Sequence, residues 1–228
     1  MCTAIAFKGT DVIYGFNMDL DPAVWDYTVI KNKNYFSVGM RVGGTTYLTH
    51  GVNRNGCFGN LPYMNGEPCA VPKGAKRQRI DLLVDRYIRG SLGFEKLEAL
   101  IAERTVVNVP SLSMHSLIGG PDGEMLIVEP GYGREKPQTR YAVLSNFPVL
   151  TALDDYANPF YGKERYDRAT AALAERTDLT ADEALGILAS VRQSGQWGTR
   201  VSFVWSKNEN RVYYALDGDF SNIRVHTF

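Results

Sequence analysis

The apolar period of the chain switches in blocks, and that alternation confines it to a small set of layered folds. Residues 3–7 and 12–16 are short apolar or β-branched runs around the turn-type cluster Lys8-Gly9-Thr10-Asp11, which predicts a hairpin starting at the second residue. Residues 27–30, 35–41 and 45–49 read as further strands, the last two joined through Val42-Gly43-Gly44. From Gln78 the spacing becomes helical: Ile80, Leu83, Val84, Tyr87 and Ile88 share one face, and Phe94, Leu97, Leu100 and Ile101 repeat the pattern after Gly90-Ser91. Residues 113–118, 124–128 and 141–144 return to strand character. Residues 164–174 and a segment opened by Thr180, with Glu183 completing a capping box, are helical again. Residues 201–205 and 211–216 flank Asn208-Glu209-Asn210 as a closing hairpin, and residues 223–227 supply an edge.

Strands, two helices, strands, two helices, strands is the order a four-layer αββα sandwich gives, an α+β architecture with helices covering two mainly antiparallel sheets. A single-sheet α+β domain is the alternative. With 228 residues, 44% of them hydrophobic, the chain can bury a full core, and one domain over residues 1–228 is expected. Twenty-five basic residues balance 25 acidic ones, which leaves no electrostatic footprint for nucleic acid or an anionic membrane. The N-terminus turns polar at Lys8 and no apolar run approaches the ~18 residues of a membrane span, so a cytoplasmic protein is expected. Cys2, Cys57 and Cys69 are too few for a disulfide framework. A metal centre built on His50, Cys57 and Cys69 matches no tetrahedral spacing, so neither a metal nor another cofactor is expected.

Cys2 carries the chemical interest. Removal of Met1 would give one residue both a thiol and a free α-amine, with reference pKa values of about 8.5 and about 7.7–8.0. Such a pair can pass a proton near neutral pH with no histidine. The hairpin returns Gly15-Phe16-Asn17-Met18-Asp19 towards the Cys2 end, so Asp19 can reach the α-amine. Leu144-Ser145-Asn146-Phe147-Pro148 ends a strand on an amide side chain able to donate to an oxyanion.

Met1-Cys2-Thr3-Ala4, the segment 15–19, His50-Gly51-Val52-Asn53-Arg54-Asn55-Gly56, the segment 123–129 and Leu144-Ser145-Asn146-Phe147-Pro148 stand in the order found in choloylglycine hydrolases, the family of bile salt hydrolases and penicillin V acylases. The sequence resembles that family over most of its length. The resemblance implies the N-terminal-nucleophile hydrolase fold and a linear-amide hydrolase in which Cys2 attacks, Asp19 steers the amine and Asn146 stands in the oxyanion hole. It implies a second oxyanion donor from a backbone N–H in the segment from Asn60 to Tyr63, Tyr63 first and Asn60 second. It also implies an arginine near the C-terminal strands that holds the thiolate, for which Arg200 is the candidate.

The sequence departs from the family at Phe16, where bile salt hydrolases and penicillin acylases usually carry arginine. The thiolate thereby loses one stabilising charge and an anionic substrate loses a partner. Phe16, Trp25, Phe58 and Asn60 are expected to line the substrate site. The chain is also shorter than bile salt hydrolases, and Glu164-Arg165-Tyr166 looks closer to small acyltransferases and acid-ceramidase-like amidases. A small N-acyl amine or N-acyl amino acid is therefore the expected substrate, with penicillin V or bile salts as the alternative and a catalytically silent binding relative as a second class. A homo-oligomer is compatible with the sequence. His115, His226, Cys57 and Cys69 read as ordinary structural residues.

Overall fold

The computed structural model describes residues 2–64, 74–110, 112–150 and 161–228; the expectations that involve Met1 and Cys69 lie outside them. Strands β1 (Cys2–Lys8) and β2 (Val12–Asp19) form the expected hairpin, in register from Cys2↔Met18 to Lys8↔Val12. Asp11 closes its turn by accepting from the Val12 and Asn208 N–H groups. Next come β3 (Tyr27–Lys31), β4 (Tyr35–Val42) and β5 (Thr45–Asn53). Gly43 and Gly44, at φ +56° and +81°, adopt the left-handed region that a two-residue hairpin requires and side chains disfavour.

The chain continues through β6 (Phe58–Gly59), β7 (Arg77–Arg79), α1 (Ile80–Ile88), α2 (Phe94–Glu103) and β8 (Thr105–Val107). Then follow β9 (Ser116–Gly119), β10 (Met125–Glu129), β11 (Gly133–Glu135) and β12 (Tyr141–Leu144). The second helical layer is α3 (Lys163–Ala174) and α4 (Ala181–Ser190), the latter opened by the Thr180–Glu183 capping box. β13 (Thr199–Ser206), β14 (Arg211–Leu216) and β15 (Arg224–Thr227) complete the fold. The short strands β6, β7, β8 and β11 carry too few residues to show a period of two, and the sequence reading passes over them.

One sheet orders its strands β12-β1-β2-β13-β14-β15 and the other β11-β10-β9-β6-β5-β4-β3, while β7 and β8 form a separate parallel pair. The two large sheets face each other over an apolar cluster containing Phe16, Phe36, Phe58 and Phe203. α1 and α2 cover the second sheet, and α3 and α4 cover the first, each over its own apolar cluster. The architecture is therefore the four-layer αββα sandwich, and the single-sheet alternative falls. β1 and β2 lie between a helical layer and the facing sheet, so both of their faces are buried. Cys2, Ala4 and Ala6 join the inter-sheet cluster, whereas Ile5 and Phe7 join the cluster under the helices.

Candidate active site

Register alone assembles the central residues. β1 pairs with β12 through Ala4↔Leu144, so stepping two residues outward along both chains sets Cys2 against Asn146. The Cys2 N–H donates to Asn146 Oδ1 at 2.8 Å. On the other side Cys2 pairs with Met18, which brings Asp19 just beyond it, and Asp19 pairs in turn with Thr199 of β13.

Asp19 is buried and well held. Thr199 Oγ1 donates to its Oδ1 at 2.6 Å, and Gln193 Nε2 donates to its Oδ2 at 2.8 Å. Arg165, near the start of α3, ties the cluster together. Its Nη1 donates to the Cys2 carbonyl at 2.7 Å and to Thr3 Oγ1 at 3.1 Å, and lies 3.4 Å from Asp19 Oδ2. Its Nη2 donates to Asn146 Oδ1 at 2.8 Å. Gly162 lets the helix begin there: at φ +85° any Cβ would come within 2.7 Å of Arg165 Nη2 and 2.6 Å of Ser145 Oγ.

With its Oδ1 accepting from both Cys2 and Arg165, Asn146 must present its NH2 on the opposite side. There one N–H meets the Tyr63 carbonyl at 2.5 Å. Tyr63 faces Met114 in an isolated antiparallel bridge whose bonds run from Met64 N–H to Ser113 O and from His115 N–H to Pro62 O. In that pairing the N–H and C=O of Tyr63 both point away from Met114, towards Asn146. The Tyr63 N–H takes no acceptor among the described residues. Asn146 thus links the Cys2 nitrogen on one side to the Tyr63 main chain on the other.

Burial pushes the Cys2 thiol above its ordinary value, and the Asp19 carboxylate adds to the rise; the Asp19 backbone N–H and Arg165 oppose it. Burial also raises Asp19, against the Thr199 hydroxyl and Arg165. His50 is driven down to about 3 by burial, so it is neutral, and its Nδ1 accepts from the Leu61 N–H at 3.1 Å.

Several expected roles need correction. Arg200 is not at the thiol: its guanidinium donates to the carbonyls of Leu20, Gly195 and Gln196, because it faces the loop before β13. The guanidinium beside Cys2 belongs to Arg165. The Glu164-Arg165-Tyr166 motif is visible in the sequence, but nothing in its spacing ties it to Cys2, since α3 packs on the first sheet only in the folded chain.

Phe16 does not line a substrate cavity. It is fully buried between the sheets, stacked on His50 with centroids 4.4 Å apart and tilted against Phe203. Phe58 is equally buried, stacked on Tyr14 at 4.9 Å. The Asn60 side chain is engaged at both ends with the Leu117 backbone, extending the short β6 pairing, which removes it as a substrate contact. Of the four, Trp25 is partly exposed, and it lines a depression of about 420 Å³ with Tyr27. A second depression, about 500 Å³, borders the cluster through Arg165 and Gln193. No helix among the described residues is long and apolar enough to cross a membrane.

The four-layer αββα sandwich is the N-terminal-nucleophile hydrolase fold. Solved structures bear this out. The chain is similar to a mutant of the conjugated bile acid hydrolase from Clostridium perfringens, with TM-score 0.71 and 13% identity over 100% of this chain and 92% of that one. It is similar to penicillin V acylase from Agrobacterium tumefaciens, with TM-score 0.61 and 16% identity over 98% of this chain and 84% of that one. It also resembles the Caenorhabditis elegans ortholog of the N-acylethanolamine-hydrolyzing acid amidase, with TM-score 0.57 and 13% identity over 90% and 93% of the two chains. No family profile and no curated protein matches the sequence. At these identities the likeness establishes the fold.

Proposed function

We propose that the protein hydrolyses linear amides of the N-acyl amine or N-acyl amino acid type through a thioester at Cys2, after Met1 is removed. The observation that carries this reading is the position of Asn146: its Oδ1 accepts from the Cys2 nitrogen and its NH2 donates to the Tyr63 carbonyl, which sets it beside the Tyr63 main chain. One side chain thereby fixes the nucleophile relative to the place where a carbonyl oxygen would develop charge.

Once Met1 is gone, the Cys2 nitrogen is an α-amine. It takes the thiol proton, and the thiolate attacks the amide carbonyl carbon. The carbonyl oxygen becomes an oxyanion between Asn146 Nδ2–H and Tyr63 N–H. Asp19 and Arg165 work in opposition: the carboxylate favours the ammonium, and the guanidinium favours the thiolate. As the carbon–nitrogen bond breaks, the ammonium returns its proton to the leaving amine. Water then attacks the thioester with the amine as base, and carboxylic acid and free thiol result. Arg165 takes the part that Phe16 cannot, which supports catalysis over a silent binding role.

The test is direct. Active protein should have the intact mass of a chain lacking methionine, and hydroxylamine should trap an acyl group from wild type during turnover. Cys2→Ala should lower turnover by about 10⁴-fold or more while the melting curve persists. Full activity with Met1 retained, or unchanged turnover in Cys2→Ala, would sink the reading.

A further inference from the structure

A buried, hydrogen-bonded His–Glu pair lies behind the proposed oxyanion site. His115 and Glu129 are both 0% exposed, with His115 Nδ1 2.9 Å from Glu129 Oε1. His115 Nε2 is 2.6 Å from the Ser145 carbonyl. Each ring nitrogen thus lies within hydrogen-bond distance of an oxygen, one on a side chain and one on the main chain. Glu129 in turn accepts the Val149 N–H on Oε1 at 2.8 Å and the Leu150 N–H on Oε2 at 2.9 Å. The loop carrying Asn146 is therefore held at its start by His115 and further along by Glu129.

The main chain of His115 holds the other half. Its N–H donates to the Pro62 carbonyl at 3.2 Å, immediately before Tyr63. A closed circuit results: His115 ring to Ser145, along the chain to Asn146, across to the Tyr63 carbonyl, back one residue to Pro62, and on to His115. Burying such a pair costs more desolvation than apolar side chains of equal size would, so its contribution lies in direction and distance rather than in bulk stability.

We propose that His115 and Glu129 are positioning residues that set the spacing between the Asn146 and Tyr63 donors. The proposal rests on the amidase reading above. Neither residue touches substrate; both act through the backbone on either side of the oxyanion space.

The experiment is a cycle of variants read by kcat and KM separately. His115→Leu should lower kcat by about ten- to a hundredfold, less than the ~10²–10³ of losing a donor outright, with KM within about twofold. His115→Gln, which keeps one donor able to reach Ser145, should restore part of that loss. In an Asn146→Ala background His115→Leu should cost almost nothing further, because the two act on the same donor. An unchanged kcat in folded His115→Leu, or full additivity with Asn146→Ala, overturns the proposal.

If His115→Leu does not fold, Glu129→Gln takes its place, because any orientation of that amide sets an NH2 against a backbone N–H. It should lower kcat similarly and speed hydrogen exchange at Val149 and Leu150. If wild type forms no trappable acyl-enzyme, the amidase reading has failed by itself, and exchange then decides the clamp: unchanged protection of Val149 and Leu150 in Glu129→Gln overturns it.

Discussion

The two faces of β2 hold opposite chemistries within one strand. Asn17 and Asp19 point towards the helices: Asn17 donates to the Leu188 carbonyl of α4, and Asp19 meets Thr199, Gln193 and Arg165. Phe16 and Met18 point between the sheets and belong to the apolar cluster. Cys2 straddles the two, its sulfur on the side of Met18 and its carbonyl bonded to Arg165. The difference teaches that the charged groups around Cys2 gather on the helix-facing side while its sulfur shares the other face with the apolar packing, so a substitution acts according to the face it lands on.

The largest expected effect breaks the apolar face. Phe16 is fully buried, so Phe16→Ala should cost about 3–5 kcal/mol of stability through lost transfer energy and the cavity left behind. Phe16→Arg should cost more, since it buries a guanidinium with no partner. Thermal or urea unfolding checks both. A folded Phe16→Arg that gains turnover on anionic amides would show that this face does set selectivity.

At the proposed site itself, Asn146→Ala should lower kcat by about 10²–10³ with little change in KM, because an oxyanion donor acts mainly in the transition state. A pure rise in KM would make Asn146 a substrate-binding residue instead.

His50 sharpens the comparison through pH. Its folded pKa of about 3 lies below the ordinary 6.5, so the unfolded chain takes up the proton first. The stability of the neutral buried ring is complete above pH 6.5 and is lost as pH falls towards 3, about 3 kcal/mol of it by pH 4. His50→Asn keeps an acceptor for the Leu61 N–H and should flatten that acid limb. Equal acid slopes in variant and wild type would contradict it.

The smallest effect separates the two arginines. Arg200→Ala should leave kcat/KM within about twofold, whereas Arg165→Ala should abolish most activity by removing the guanidinium that holds the Cys2 carbonyl and Asn146 Oδ1. Parallel assays on folded protein give the ratio, and a large loss at Arg200 alone would reinstate it.

Much of this was legible in the chain because local rules and tertiary structure agree. The hairpin at residues 2–19, the glycine turn at 43–44 and the Thr180 capping box follow from short-range chemistry. The same hairpin places Asp19 beside Cys2 without knowledge of anything distant. Arg165 and His115 were not legible in this way. Each reaches the cluster across layers, Arg165 from a helix on the outer face and His115 from the residue immediately before β9 of the other sheet. Phe16 and Phe58 misled for the complementary reason: a period of two shows that two faces exist but not what lies opposite each.

By itself, then, the sequence determined the order of layers and the pairing of Cys2 with the Asp19 end of its hairpin, since periodicity, turn residues and the place of Cys2 are local properties. Only the tertiary structure decided which arginine meets Cys2, where the Asn146 amide points and which aromatics are core, because those depend on the packing of residues far apart in the chain, whose contacts no local pattern encodes.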